Sequence, residues 1–227
     1  MNAGPRPQPG DTPELHGVYI AQLRDHSLAL VWLGYQRMQP AAFVSAQEDD
    51  ITGELVRHMR CVIQDDTAPL WIEHYSVSEQ VRSHAAGKLG KRRPIVDIEF
   101  ERHKRGQRPC LRFEAKRLGC GAGISDYLGD EGLGAFLIGH YSRTHQEAGM
   151  LGYVQTDRED LWAARLSAEL STNPRHHRLT DDGAWRRLFI TGAPPHSYQT
   201  KHFDERRQIL LIVHILLQFS SDTGNRD

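Results

Sequence analysis

Asp97, Glu114 and Lys116 are the residues whose types and spacing carry the most chemistry in this chain. Residues 95–100 read Ile-Val-Asp-Ile-Glu-Phe. Side chains alternate along a strand, so Val96, Ile98 and Phe100 fall on one side and Asp97 and Glu99 on the other. Residues 111–116 read Leu-Arg-Phe-Glu-Ala-Lys, with Leu111, Phe113 and Ala115 on an apolar side and Arg112, Glu114 and Lys116 opposite. A hairpin through the basic, turn-rich connection at 101–109 brings Asp97, Glu114 and Lys116 onto one surface. Two carboxylates beside a lysine, on strands patterned for burial, are costly to hold without a partner. A divalent cation supplies that partner.

Pro94 and Asp97, followed by Glu114-Ala115-Lys116, resemble the PD-(D/E)XK signature of the restriction-endonuclease-like nuclease superfamily. Ile95 and Val96 stand between the proline and the aspartate, a departure from the tightest form of the motif. The resemblance implies metal-assisted hydrolysis of phosphodiester bonds. Asp97 and Glu114 would hold Mg²⁺, with Mn²⁺ able to substitute, and the Ala115 carbonyl would be a further ligand. Lys116 would position the attacking water or stabilise developing charge. The substrate implied is nucleic acid, DNA ahead of RNA. Arg93, Arg112 and Arg117 are the candidates for backbone phosphates, contacts that give affinity without sequence preference. The resemblance covers about residues 41–154. The order EDDIT, DIEF, EAKRL, a glycine-bearing helix and MLGYV is similar to compact bacterial nucleases of anti-phage defence and mobile-element conflict.

The helix expected to precede the motif spans 41–62. At about 100° per residue, Val44, Ile51, Leu55, Met59 and Val62 make one stripe, with Glu48 inside it and Glu54 on its flank. Nucleases of this kind place a glutamate on the first core helix, aimed at the metal, and Glu48 resembles it as a catalytic residue and metal ligand. Ser45-Ala46-Gln47-Glu48 also matches a capping box, in which Glu48 would only bond the Ser45 backbone.

Charge supports a polyanionic partner through its distribution rather than its total. The chain's formal net charge is −1, yet the window 88–117 holds 11 Lys and Arg against four acids. That window is therefore +7 and the remainder −8. A positive field around a carboxylate pair attracts a polyanion while the carboxylates hold a metal. The competing class is a nuclease-like module that binds nucleic acid or assembles without cutting. Intact Asp97, Glu114 and Lys116 weigh against it.

The three cysteines, Cys61, Cys110 and Cys120, have no CxxC spacing, which gives neither a zinc site nor a disulfide framework. A cytoplasmic, reduced setting is the expectation. No signal peptide is expected, and the longest apolar run, 209–219, is broken by His214 and Gln218 and too short to span a bilayer. A homodimer or larger assembly fits the class.

The elements that must position these residues follow in order. Residues 1–13 are a Pro/Gly-rich tail, expected to be disordered, and 14–227 form a single nuclease-like domain with a core at about 41–154 and an extension at about 155–227. Helix is expected at 14–37, strand at 70–77, helix at 126–144 despite its glycines, strand at 148–154, and helix at 157–170 capped by Asp157. A polar loop at 171–180 carries His176 and His177. Strands follow at 185–191, 196–203 and 208–219, with His214 a hydrogen-bonded core histidine. The fold class is α/β: a restriction-endonuclease-like mixed β-sheet flanked by helices and extended at both ends.

Overall fold

The computed structural model describes residues 13–83, 90–103, 109–139 and 146–220. The tail expected at 1–13 falls outside them except for Pro13, as do Lys88, Lys104, Arg105 and Arg108 of the basic window.

The architecture is α/β, a seven-stranded mixed sheet with helices on both faces. In chain order the strands are β1 (Tyr75–Arg82), β2 (Ile95–Arg102), β3 (Cys110–Leu118), β4 (Glu147–Val154), β5 (Arg186–Arg187), β6 (Ser197–Phe203) and β7 (Ile209–Gln218). Their spatial order is β1-β2-β3-β4-β7-β6-β5. β3, β4 and β7 run parallel at the centre, and antiparallel hairpins flank them on both sides. The segment expected as a C-terminal extension thus supplies three strands to the same sheet, and β7 lies directly beside β4. β4 is buried along nearly its whole length, as strands covered on both faces are.

One face carries α1 (Pro13–Gln36) and α2 (Glu48–Ile63), whose Leu28, Val31, Ile51, Leu55 and Met59 pack on Phe100, Phe113, Tyr153 and Val213. The two helices approach closely at Gly34, where an added Cβ would lie 2.6 Å from the Met59 side chain. The other face carries α3 (Ile124–Leu128), α4 (Leu133–Leu137) and α5 (Glu159–Thr172), packed through Tyr127, Phe136, Trp162 and Leu166 on Met150, Ile212 and Leu216.

Several boundaries differ from the sequence expectation. The segment expected at 14–37 is one helix of 24 residues, Pro13–Gln36. The second helix starts at Glu48 rather than residue 41, because Pro40–Phe43 closes a separate 3-10 turn and Gln47 is extended. Residues 70–74 alternate like a strand but form a 3-10 turn with Leu70 exposed, so β1 begins only at Tyr75. The helix expected at 126–144 is two short helices. The chain turns back so tightly at Gly132 that a Cβ there would meet the Tyr127 carbonyl at 2.3 Å; the end of that segment, 140–144, lies outside the described residues. α5 begins at Glu159 because Asp157 has a left-handed backbone (φ 60°) and gives its carboxylate to Arg165 instead of a cap. The strand expected at 185–191 shrinks to Arg186–Arg187. His177 is buried, where an exposed loop was expected, while His176 is exposed. His214 is a buried core histidine, bonded to Tyr127 and Thr200. Among the described residues, no helix is long and apolar enough to cross a membrane.

Candidate active site

β2 and β3 pair only from Ile98↔Phe113 to Glu101↔Cys110. Beyond Phe113, β3 continues to Leu118 bonded to β4, while β2 no longer pairs with it. Asp97 sits at the first position past the end of this ladder. Its carboxylate replaces the missing ladder contact: Oδ2 accepts the Ala115 N–H at 2.7 Å. The hairpin expected from the sequence therefore forms and then parts at the residues that carry the chemistry.

Glu114 and Lys116 follow on β3, and Lys116 Nζ donates to Glu114 Oε1 at 2.9 Å. The same ammonium donates to Glu48 Oε1 at 2.9 Å, across 68 residues of sequence. Glu48 Oε2 accepts the Arg117 N–H at 3.2 Å. Glu48 is the first residue of α2, and the residue before it, Gln47, makes no side-chain cap. The carboxylate that could have closed a capping box with Ser45 is turned to β3 instead. Glu54 faces away, bonded to Arg57 and His58 on the outer side of α2.

Burial makes the balance of charge here costly. The side chains of Glu114 and Lys116 are 7% and 13% exposed, and that of Glu48 28%. Burial pushes the Asp97 carboxyl up to about 6, against the Ala115 N–H and Lys116, and Glu48 and Asp49 push it further. For Lys116 burial opposes the charge, but Glu114 and Glu48 outweigh it and hold the ammonium above its ordinary range. Lys116 is thus a fixed cation at working pH. Glu48 and Glu114 both bond it, and Asp97 and the exposed Asp49 lie nearby.

Hard carboxylate oxygens are the donors that Mg²⁺ takes, with water completing its shell. Asp97 and Glu114 fit that role, and Glu48 lies on the same cation as Glu114. Among the described residues, no three acidic, imidazole or thiol side chains already converge as a ligand set. The Lys116 ammonium holds Glu48 and Glu114 to itself.

The three arginines singled out from the sequence are placed differently from one another. Arg112 Nε donates to Glu99 at 2.7 Å, both side chains largely covered, so its charge is balanced within the hairpin. Arg93 lies in the segment leading into β2 and donates weakly to the Gly90 carbonyl at 3.4 Å. Arg117 is half-buried beside the Glu48 carboxylate, which holds its backbone N–H.

Sequence reading missed the support beneath these groups. Gln155, buried just past β4, donates both amide hydrogens, to the carbonyls of Phe43 (3.0 Å) and Ala46 (2.9 Å). It thereby fixes the segment that leads into Glu48. Thr52 of α2 and Tyr153 of β4 bond at 2.9 Å in the core below. No spacing rule marks such residues, since their partners are backbone atoms or lie about a hundred residues away. No protein-family model, curated protein or solved structure matches this chain.

Proposed function

We propose that the chain is a Mg²⁺-dependent nuclease of the PD-(D/E)XK type, cutting DNA in preference to RNA, on a restriction-endonuclease-like core. The observation that carries this reading is the convergence of Asp97, Glu114, Lys116 and Glu48 from two strands and a helix N-terminus, at the point where β2 and β3 part. The arrangement of α2, the meander β1-β2-β3 and a β4 parallel to β3 supports the same reading. Mn²⁺ would substitute for Mg²⁺. Action in anti-phage defence or mobile-element conflict, in the cytoplasm and as a homodimer or larger assembly, is part of the proposal.

Asp97 and Glu114 would hold the ion, with the Ala115 carbonyl as a further ligand and Glu48 acting directly or through water. When bound, Mg²⁺ supplies an activated water and offsets the charge that develops on the phosphoryl group. Lys116 is held too strongly as an ammonium to serve as a base. It donates hydrogen bonds, and in the presence of substrate it orients the attacking water or stabilises negative oxygen. Glu48 fixes the lysine from the helix side, so both ends of that contact are tied to rigid elements. Arg93, Arg112 and Arg117 are the proposed contacts to backbone phosphates. Arg112 would first have to leave Glu99.

Incubating the purified protein with single- and double-stranded DNA and RNA, in Mg²⁺, Mn²⁺ or EDTA, tests the proposal. Cleavage with either metal and none in EDTA is expected. Binding without cleavage under every metal would instead assign the chain to the non-catalytic module class, and robust cutting in excess EDTA would overturn the mechanism.

A further inference from the structure

Gln80 lies in the middle of β1 with a left-handed backbone, φ 50°. Such a conformation is uncommon for a residue with a side chain and is unexpected inside a strand. The β1–β2 ladder pairs Glu79 with Ile98 and Val81 with Val96, so the position facing Gln80 is Asp97; that one pair is missing from the ladder. Pairing resumes beyond it in the same register, so no residue has been inserted.

The two cores show what happens at this level. Tyr75 and Val77 of β1, with Ile98 and Phe100 of β2, pack on the face covered by α1 and α2. Val81 and Val96 pack on the opposite face, with Leu118 and Tyr127. Residues two or four apart on a strand should share a face. Here Val77 and Val81 do not, nor do Ile98 and Val96. The ribbon turns over between them, at the Gln80–Asp97 pair. It is pinned on either side: Arg60 of α2 bonds the Val77 carbonyl and Glu79 before the roll, and Arg82 bonds the carbonyls of Lys91 and Arg93 after it. The roll coincides with the level at which β2 leaves β3 and the Asp97 carboxylate reaches the Ala115 N–H.

We infer that Gln80 is a positioning residue: its left-handed backbone turns the β1–β2 ribbon over and thereby delivers Asp97 into the gap beside β3. An unrolled ribbon would keep Asp97 in the alternation of β2 and continue the ladder with β3, leaving no opening at Glu114 and Lys116. The inference rests on reading Asp97 as an active-site carboxylate, but the roll itself is independent of any bound group. Residues that tolerate the left-handed region, Gly and Asn, should preserve it. Those that resist it, Ala mildly and β-branched Val strongly, should not.

The test is amide hydrogen exchange of Ala115 in the metal-free protein for Gln80→Gly, Gln80→Asn, Gln80→Ala and Gln80→Val, alongside nucleic-acid cleavage with Mg²⁺. Leu151 and Tyr153 amides in the central strand β4 serve as reference. Gly and Asn should leave Ala115 protected, while Val lowers its protection by about tenfold or more relative to the reference amides. Cleavage should fall in the same order. Should Gln80→Val be too unstable to measure, Gln80→Ala against Gln80→Gly carries the same comparison at smaller amplitude. Unchanged Ala115 protection in Val and Ala, or a loss shared equally by Leu151 and Tyr153, overturns the inference while leaving the nuclease reading standing. If Ala115 protection follows the series but neither the parent protein nor any variant cuts nucleic acid, the positioning role holds and the nuclease reading fails.

Discussion

At one cluster Lys116 stands among Glu48, Glu114 and Asp97; at a second, a chain of neutral groups links α3, β7 and β6. The second cluster can be worked through atom by atom. His202 Nδ1 lies 2.7 Å from the His177 carbonyl, which can only accept, so Nδ1 carries the hydrogen. Nε2 of the neutral ring must then accept from the Thr200 hydroxyl at 2.7 Å. Thr200 has given its one hydrogen, so it accepts from His214 Nε2–H at 2.8 Å. His214 Nδ1 is left to accept from the Tyr127 hydroxyl at 3.1 Å. Every bond has one direction, and no charge is needed. Accordingly burial pushes His202 down to about 4 and His214 well below its ordinary range. At the Lys116 cluster the same burial meets charges that cannot all be neutralised, and the sheet parts there. The neutral chain is satisfied by its own bonds. Charged groups crowded at the end of a broken ladder are where we propose that a cation and a substrate bind.

The sharpest way to break this contrast is to remove the charges. Asp97→Ala, Glu114→Ala and Lys116→Ala should each lower cleavage by at least about a hundredfold while circular dichroism stays that of a folded protein. Near-parental cleavage by any one of them would mean the site is drawn wrongly. The neutral chain should respond the opposite way. Thr200→Val faces two ring nitrogens with a methyl group and should cost about 2–3 kcal/mol of stability, with the cleavage rate of the folded fraction unchanged.

Acid separates the clusters next. A histidine held neutral in the fold binds fewer protons than the unfolded chain between its lowered value and about 6.5. Stability therefore rises with pH across that interval and is lost as pH falls through it. With His202 near 4, that residue alone contributes a loss of about 3 kcal/mol between pH 6.5 and 4. Asp97, pushed up to about 6, has the opposite sign: its charge destabilises the metal-free fold above that value. Asp97→Asn should thus raise the metal-free melting temperature at pH 7, by up to about 2–3 kcal/mol in stability, and abolish any further rise on adding Mg²⁺. Denaturant melts at pH 4.5 and 7, with and without Mg²⁺, check both signs.

Much of this was legible in the residues themselves. Period-2 patterning placed β2 and β3, the Asp97–Glu114–Lys116 grouping, and β4 within one residue at its start. The α2 stripe was right from Ile51 to Val62, and Glu48, expected inside that stripe or closing a capping box with Ser45, bonds Lys116 of β3. What could not be read were the features that depend on partners distant in sequence. Val96 and Ile98 alternate in the sequence as if they shared a face, and only the roll opposite Gln80 sends them to different cores. Residues 70–74 carry the same alternation as a strand but close a 3-10 turn, with the Ile72 N–H bonded to the Pro69 carbonyl. The strands β5–β7 were visible as strands, yet nothing local shows that β7 runs parallel beside β4. Nor does any composition rule pair Arg112 with Glu99 rather than with a phosphate.

The smallest effect expected is also the one that tests how the helix joins the site. Glu48 and Glu54 lie six residues apart on α2, one bonded to Lys116 and the Arg117 N–H, the other to Arg57 and His58 near solvent. A glutamine at position 48 keeps the shape and an acceptor for Lys116 but loses the charge. If Glu48 served only the start of the helix, that exchange would be almost silent. Because its charge belongs to the acidic set around Lys116, Glu48→Gln should instead raise the Mg²⁺ concentration for half-maximal cleavage by about tenfold. Stability should change little, since one of several crowded carboxylates has been neutralised. Glu54→Gln loses only a pair at the solvent surface and should leave the Mg²⁺ dependence untouched. Cleavage against Mg²⁺ concentration for the two variants decides the matter, and a normal curve for Glu48→Gln beside an altered one for Glu54→Gln would place the metal on the wrong side of α2.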